Sequence, residues 1–354
     1  MTATRSAASA ADLIARIVPV EEEVRASAAA GVTALATPPG ALGRLGDLAT
    51  VLAAISGRAT PPPIGRPGLV IAAGDHGVQL HGVSPYPQEV TALMVRTFCE
   101  GRGTANVLAD AVGAEVLVLD VGVAGPVPDH PNLRARRIRP GTRDLSAGPA
   151  MTADECEAAV VAGAVTAGEL LDAGVDLLIT GDMGIGNTTA SAALIATFTG
   201  ADPAAVTGRG AGADDATYER KRDIVTAAVA RHAGDADPWV RLAGLGGLEH
   251  AALVGVLLAG AAARVPVLLD GVIADAAAVA AAALAPDLAG YLIAGHRSTE
   301  PGAVAALAHL GLEPLIDLDL RLGEGTGALL AVPTVRAASS LLTGVATLEQ
   351  VLGA

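Results

Sequence analysis

Leu177-Leu178-Ile179-Thr180-Gly181-Asp182-Met183-Gly184-Ile185-Gly186-Asn187-Thr188-Thr189 is the stretch on which the fold turns. A short apolar run, Leu177 to Thr180, passes at once into glycines and then into a helical pattern. The same rhythm recurs along the chain. Leu69 to Ala73 leads to Gly74-Asp75-His76-Gly77, and Val116 to Leu119 leads to Asp120-Val121-Gly122. Val265 to Leu269 leads to Asp270-Gly271, and Tyr291 to Ala294 leads to Gly295-His296-Arg297-Ser298. Leu315 to Leu318 leads to Arg321-Leu322-Gly323-Glu324-Gly325-Thr326-Gly327, which opens an apolar helical segment from Ala328 to Leu342. Continuous apolar runs separated by helices mean an α/β fold with a parallel sheet covered on both faces. Ligands of such sheets bind at the carboxyl ends of the strands, so these loops are expected to converge on one edge. Upstream, Ala10 to Ile55 reads as helical with a break at Thr37-Pro38-Pro39-Gly40, and a Pro/Gly-rich linker follows from Gly57 to Gly68.

The 354 residues suffice for one large domain or two smaller ones. Hydrophobic residues make up 51% and aromatics only 2%, so Ala, Val, Leu and Ile must build the core. The 43 glycines imply tight loops or close backbone contacts. A net charge of -14 argues against a nucleic-acid or anionic-membrane partner. Cys99 and Cys156 alone give no disulfide framework. Met1 to Leu13 lacks an apolar h-region and carries Asp12, so no signal peptide is expected. Ala251 to Ala263, bounded by His250 and Arg264, is too short to span a bilayer and reads as a buried helix leading to a buried strand. A cytoplasmic protein is the expectation.

Two glycine loops carry the chemistry. In Gly181 to Thr189, backbone amides and two hydroxyls at a strand-to-helix turn suit a phosphate, against the plainer reading of a glycine turn with a Thr cap. Neither a Gly-Lys-Ser/Thr motif nor a convincing Gly-x-Gly-x-x-Gly after the first strand occurs, which disfavours a P-loop nucleotidase and a dinucleotide oxidoreductase. In the second loop, Glu324 is a lone carboxylate among glycines. A loop that positions both an anionic substrate and a base explains it; the alternative is a carboxylate that stabilises a helix N-terminus. Lys221 is the one lysine among 23 basic residues. It follows a flexible-looking loop, Thr207-Gly208-Arg209-Gly210-Ala211-Gly212, and Asp214-Asp215, near the start of a helix from Tyr218 to His232. It is either a phosphate partner or a solvated surface lysine. His76 and His296 lie in loops after strands without the spacing of a metal site, and structural hydrogen bonding is the plainer role. His296, Arg297, Ser298 and Glu300 are candidates to line a cleft. Arg134, Arg136, Arg137, Arg139 and Arg143 form a basic cluster, and Arg137-Ile138-Arg139 reads as a solvated or partner-facing edge strand.

Taken together, these motifs resemble the nicotinate-nucleotide–dimethylbenzimidazole phosphoribosyltransferase family over nearly the whole chain. The resemblance runs through Pro38-Pro39-Gly40-Ala41-Leu42-Gly43-Arg44-Leu45, Ala73-Gly74-Asp75-His76-Gly77-Val78 and Val83-Ser84-Pro85-Tyr86-Pro87-Gln88-Glu89-Val90-Thr91. It continues through Gly181 to Thr189, Leu268-Leu269-Asp270-Gly271, His296-Arg297-Ser298-Thr299-Glu300-Pro301-Gly302 and Arg321 to Ala328. It implies transfer of phosphoribose from nicotinate mononucleotide to 5,6-dimethylbenzimidazole, giving α-ribazole 5′-phosphate and nicotinate for cobalamin biosynthesis. It further implies a homodimer built on a three-layer Rossmann-like domain with a mainly parallel sheet over 66-330. A small helical domain would come from both chain ends, 1-65 and 331-354.

The family's general base falls on Glu324 and its phosphate-contacting Lys on Lys221. Asp182, Gly184, Ile185, Gly186, Asn187, Thr188, Arg321, Gly323 and Gly325 are expected to hold the phosphate and nucleotide. Ser84, Tyr86, Gln88 and Met183, with Ile185, are expected to wall the acceptor pocket. Nicotinate leaves from a pyridinium, so neither a metal nor a cofactor is expected. The chain departs from the family where Thr37 and Ala41 replace Lys and Ser, where Asp182 replaces Glu, and where Gly295 replaces a frequent Ser. Asp182 and Gly295 are placed by this reading in substrate-facing loops. A transferase preferring adenine or a phenol, or a non-catalytic nucleotide-binding subunit, is the alternative.

Overall fold

The computed structural model describes residues 9–353, so positions 1–8 of the segment read for a signal peptide lie outside the described residues. The six strands are β1 (Pro67–Gly74), β2 (Glu115–Gly122), β3 (Leu133–Ala135), β4 (Leu177–Met183), β5 (Val267–Leu269) and β6 (Leu292–Ala294). They form one sheet in the order β3-β2-β1-β4-β5-β6, and every neighbouring pair is parallel. All eight residues of β1 are buried. Alternate side chains enter opposite faces: Val70 and Ala72 join one core, while Leu69, Ile71 and Ala73 join the other. A sheet apolar on both faces must be covered on both, which gives the three layers.

In chain order the helices are α1 (Ala10–Ile14), α2 (Glu22–Ala34), α3 (Gly43–Ser56), α4 (Val90–Cys99), α5 (Thr104–Val112), α6 (Ala153–Asp172), α7 (Asn187–Thr199) and α8 (Pro203–Val206). There follow α9 (Asp215–Arg231), α10 (Pro238–Leu245), α11 (Leu248–Ala262), α12 (Val272–Leu284), α13 (Pro301–Leu310), α14 (Thr326–Gly344) and α15 (Leu348–Leu352). The core of α6, α7, α11 and α12 covers one face, and that of α3, α4, α5 and α14 covers the other. Where α6 crosses α11, a Cβ on Gly163 would overlap the Ala252 carbonyl, and one on Gly255 would overlap that of Val160. Missing side chains here let two backbones touch. The chain ends also meet: Leu35 bridges Thr347, and the Ala36 N–H donates to Ala346 O at 2.9 Å. α14 runs unbroken across position 331. Among the described residues no helix is long and apolar enough to cross a membrane.

Three local expectations need correction. The helical reading of Ala10 to Ile55 has a second break between Ile14 and Glu22. Pro19 stands there, and proline is disfavoured inside a helix. Leu315 to Leu318 is not a strand but a single bridge from Ile316 to His296. Leu318 is exposed, and Asp319 turns into the left-handed region at φ 55°, which ends any extended run. Finally, the edge strand is Leu133–Ala135 rather than Arg137 to Arg139. The arginine cluster is satisfied within the chain: Arg134 and Arg136 pair with Glu169, Arg137 with Asp120, and Arg139 and Arg143 with Glu155.

Candidate active site

The strand order reverses between β1 and β4, and parallel sheets bind ligands in the crevice beyond such a point. A cavity of about 700 Å³ opens there. That volume suits a nucleotide with a flat partner. Residues from loops more than 200 positions apart, such as Ser84 and Glu324, line it together.

One wall is built to take an anion. Gly184, Ile185, Gly186, Asn187 and Thr188 line the cavity where β4 runs into α7. Gly186 is the N-cap of α7 at φ 94°, and among the described residues no side chain caps that start. The Asn187 and Thr189 N–H groups donate to Gly184 O (3.2 Å) and Gly186 O (3.0 Å), so the Thr188 amide and the helix dipole are what this start offers an anion. Lys221 is 1% exposed, which rules out the solvated surface lysine. Its Nζ donates to Thr188 Oγ1 and to Gly208 O, both at 2.9 Å. Burial pushes its ammonium down to about 8. Arg209 and Arg321 add positive charge to the same cavity. The loop Thr207 to Gly212 reads as flexible in sequence, yet it is tied down. Glu300 Oε1 accepts the Gly210 N–H at 2.7 Å, and Arg321 donates to Gly210 O at 3.0 Å.

Across the cavity stands Glu324, 5% exposed, with Oε2 lacking any hydrogen-bond partner. Burial pushes its carboxyl up to about 7, against a backbone hydrogen bond from Ala105 that lowers it, and Asp270 adds to the rise. Burial thus outweighs the one hydrogen bond that lowers it. The flanking glycines have another reason than ligand contact. Gly323 (φ 81°), Glu324 (φ 65°) and Gly325 (φ 88°) form a left-handed run, a conformation that glycine takes freely. Asp270 occupies the start of α14. Its carboxylate accepts the N–H groups of Gly325 (3.1 Å), Gly327 (2.8 Å) and Ala328 (3.0 Å). The Gly325 amide is therefore engaged by Asp270, and Gly325 does not line the cavity.

Asp182 lies between the two walls. Asn187 Nδ2 donates to its Oδ2 at 2.9 Å, while Oδ1 is buried without a partner. Burial, then the charges of Asp270, Glu249 and Glu324, hold its carboxyl well above the ordinary range. A neutral Asp182 is a hydrogen-bond donor rather than an anion. Ser84, Tyr86 and Met183 line the cavity, as do Arg321 and Gly323, but Gln88 does not. The turn into α4 carries Gln88 past the mouth, and Val90 and Met94 stand in its place. Gly295 also misses the cavity: a Cβ there would meet Leu269 O at 2.6 Å and Ala328 Cα at 2.8 Å. His296, Ser298 and Glu300 line the wall, whereas Arg297 pairs with Asp317.

The sequence does not single out Asp270 or Arg209. For Asp270 the available signal was a carboxylate directly after a buried strand. Spacing also hid one cluster. His76, Glu249 and His250 bring ligand-type atoms within 4.8 Å of one another, all buried. His76 Nε2 stands 2.6 Å, and His250 Nδ1 2.7 Å, from Glu249 Oε1. These are hydrogen-bond separations. Ligands about 2.0–2.1 Å from a tetrahedral metal would stand farther apart. The cluster fits a shared proton network, not a coordination shell.

A family model described as "Phosphoribosyltransferase" matches residues 17–351. The nicotinate-nucleotide–dimethylbenzimidazole phosphoribosyltransferase of Salinispora tropica is 53% identical, covering 95% of this chain and 96% of its own. That of Thermus thermophilus is 49% identical over 91% of this chain and 96% of its own. The crystal structure of CobT from Thermus thermophilus superposes with a TM-score of 0.91 at 49% identity, covering 94% of this chain and 98% of that one.

Proposed function

The chain belongs to the phosphoribosyltransferase family of that model and those relatives, and from this membership we propose the reaction its cavity performs. It transfers phosphoribose from nicotinate mononucleotide to 5,6-dimethylbenzimidazole, giving α-ribazole 5′-phosphate and nicotinate. The single observation that carries the reading is Glu324: a buried carboxylate with Oε2 unpartnered, pushed up to about 7, across the cavity from an uncapped helix start with a buried lysine beside it.

The donor's phosphate takes the first turn of α7, Thr188 and Lys221, with Arg209 and Arg321 at the rim. Ser84, Tyr86 and Met183 hold the flat acceptor. One benzimidazole nitrogen attacks the ribose carbon. The bond from that carbon to the pyridinium nitrogen breaks, and its electron pair stays on nicotinate, which leaves neutral at nitrogen. The alkylated acceptor is cationic, so its other ring N–H becomes acidic, and Glu324 takes that proton. A base whose pKa lies near the working pH is suited to this step. Asp182, which burial biases toward its protonated, hydrogen-bond-donating form, faces the nucleotide beside Asn187.

The rest of the proposal concerns assembly. The chain ends, 1-65 and 331-354, act as a small helical unit beside the 66-330 body of a cytoplasmic homodimer. Exposed apolar side chains at Leu80, Leu93 and Val107 support a partner face. Sedimentation of the purified chain at micromolar concentration should give twice the chain mass, and a monomer would remove that part.

Activity is tested directly. Purified protein with nicotinate mononucleotide and dimethylbenzimidazole should yield α-ribazole 5′-phosphate and one nicotinate per product. No product with any azole acceptor would overturn the reading.

A further inference from the structure

His76, Glu249 and His250 are fully buried, and none lines the cavity. The reaction described above uses none of them. A buried carboxylate is costly unless it is paired, so the trio needs an explanation. We propose that Glu249 is a positioning residue for the donor-phosphate loop: through His76 and His250 it fixes the two supports on which Gly184 to Thr188 rests.

Both supports meet at Glu249 Oε1, which is hydrogen-bonded to His76 Nε2 at 2.6 Å and stands 2.7 Å from His250 Nδ1, the nitrogen that also accepts the Gly247 N–H at 3.1 Å. The two rings stand edge to face, with centroids 5.9 Å apart and planes at 82°. The first support is the His76 ring, which floors the loop. Positions where Cβ atoms of Gly184 and Gly186 would stand lie 3.5 Å from His76 Cδ2 and Cβ respectively. The ring therefore sits against the turn that lines the cavity, and moving it moves the turn.

The second support runs through His250. Its Nε2 lies 2.8 Å from Ser191 Oγ, which donates to Asn187 O at 3.0 Å. Asn187 is the first residue of α7, and its side chain donates in turn to Asp182 at 2.9 Å. A continuous chain of contacts thus leads from Glu249 to a residue in the cavity wall. Electrostatics agree with a locked pair. Burial alone would lower His76, but the Glu249 charge and hydrogen bond raise it, and the two histidines hold Glu249 below the ordinary range against burial.

The inference rests on the transferase reading, because it assigns the loop to the donor's phosphate. Its test uses the full chain with Glu249→Gln, which keeps shape and removes charge, and Ser191→Ala, which cuts only the second support. Each should raise the KM and calorimetric Kd for nicotinate mononucleotide by about three- to tenfold, the worth of one lost hydrogen bond. The acceptor KM should not move, and kcat at saturation should stay within about twofold. Unchanged donor KM and Kd, both KM values rising together, or a lower melting temperature alone would each overturn the proposal. Should Glu249→Gln not fold, Ser191→Ala decides by the same criteria. Wild-type protein run beside the variants separates the two readings. Failure of the wild type to bind donor or form product sinks the transferase assignment, whereas variants indistinguishable from an active wild type sink only the positioning role.

Discussion

Glu324 has a backbone angle that a glutamate seldom takes, and non-glycine residues held in the left-handed region gather at functional sites. The left-handed turn places one carboxylate in the cavity lining, with its Oε2 left without a partner. Only its ionised form can accept a proton. With the carboxyl at about 7, kcat/KM should therefore rise roughly tenfold per pH unit below that value and level off above it. Glu324→Gln should lower turnover by about 10²–10⁴-fold, flatten this rise and leave nicotinate mononucleotide binding intact. A variant that keeps the pH-dependent rise, or that loses donor binding as severely as turnover, would make Glu324 structural. Glu324 was legible in the sequence because a lone acid among glycines is unusual. Gln88 stands outside the cavity lining, and a loop residue's neighbours do not show where the following helix carries it. The left-handed angles at Gly323 and Gly325 account for the glycines of the motif.

Two helices begin alike and end up with different roles. α7 and α14 both start from a left-handed glycine, Gly186 at φ 94° and Gly325 at φ 88°. Local sequence treats them as equal anion sites. Asp270 breaks the tie, since it fills the start of α14 and leaves α7 open. It does so from 55 to 58 positions away in sequence, a distance at which no local pattern is readable. The strands that set the fold were readable from local runs of apolar residues, and Leu315 to Leu318 failed where Asp319 turned the chain. Asp270→Asn puts an amide N–H against one of three N–H donors. It should cost about 1–3 kcal/mol in denaturant unfolding and loosen the Glu324 loop. Turnover should fall while donor affinity stays near wild type, because α7 is untouched. Full turnover in that variant would show that the cap does not hold the base.

At the scale of the molecule, the fold buries one set of carboxylates and surrounds others with arginine, histidine and hydroxyl donors. The two populations respond oppositely to pH. Burial raises Asp75, Asp182, Asp275 and Glu324 above their ordinary values. Such groups prefer to be protonated when folded, so their contribution is complete in acid and is lost as pH rises, for Glu324 through about 7. Partners lower Glu155 to about 2, chiefly the Arg143 hydrogen bond. Asp144 and Glu169 lie below their ordinary values too, because hydrogen bonds from His81 and Ser146, and from Arg136 and Arg134, overcome burial. Those contributions are complete above the ordinary carboxylate range and are lost as pH falls through the lowered values. A net charge of -14 cannot reveal this division, since it depends on which acids the fold buries. The melting temperature of the substrate-free protein should therefore peak at about pH 5 and decline on both sides. Calorimetry between pH 3 and 8 at fixed ionic strength measures it. A melting temperature that climbs steadily from pH 5 to 8 would mean that the buried acids are ionised without cost, and that the cavity floor is far wetter than its exposure implies.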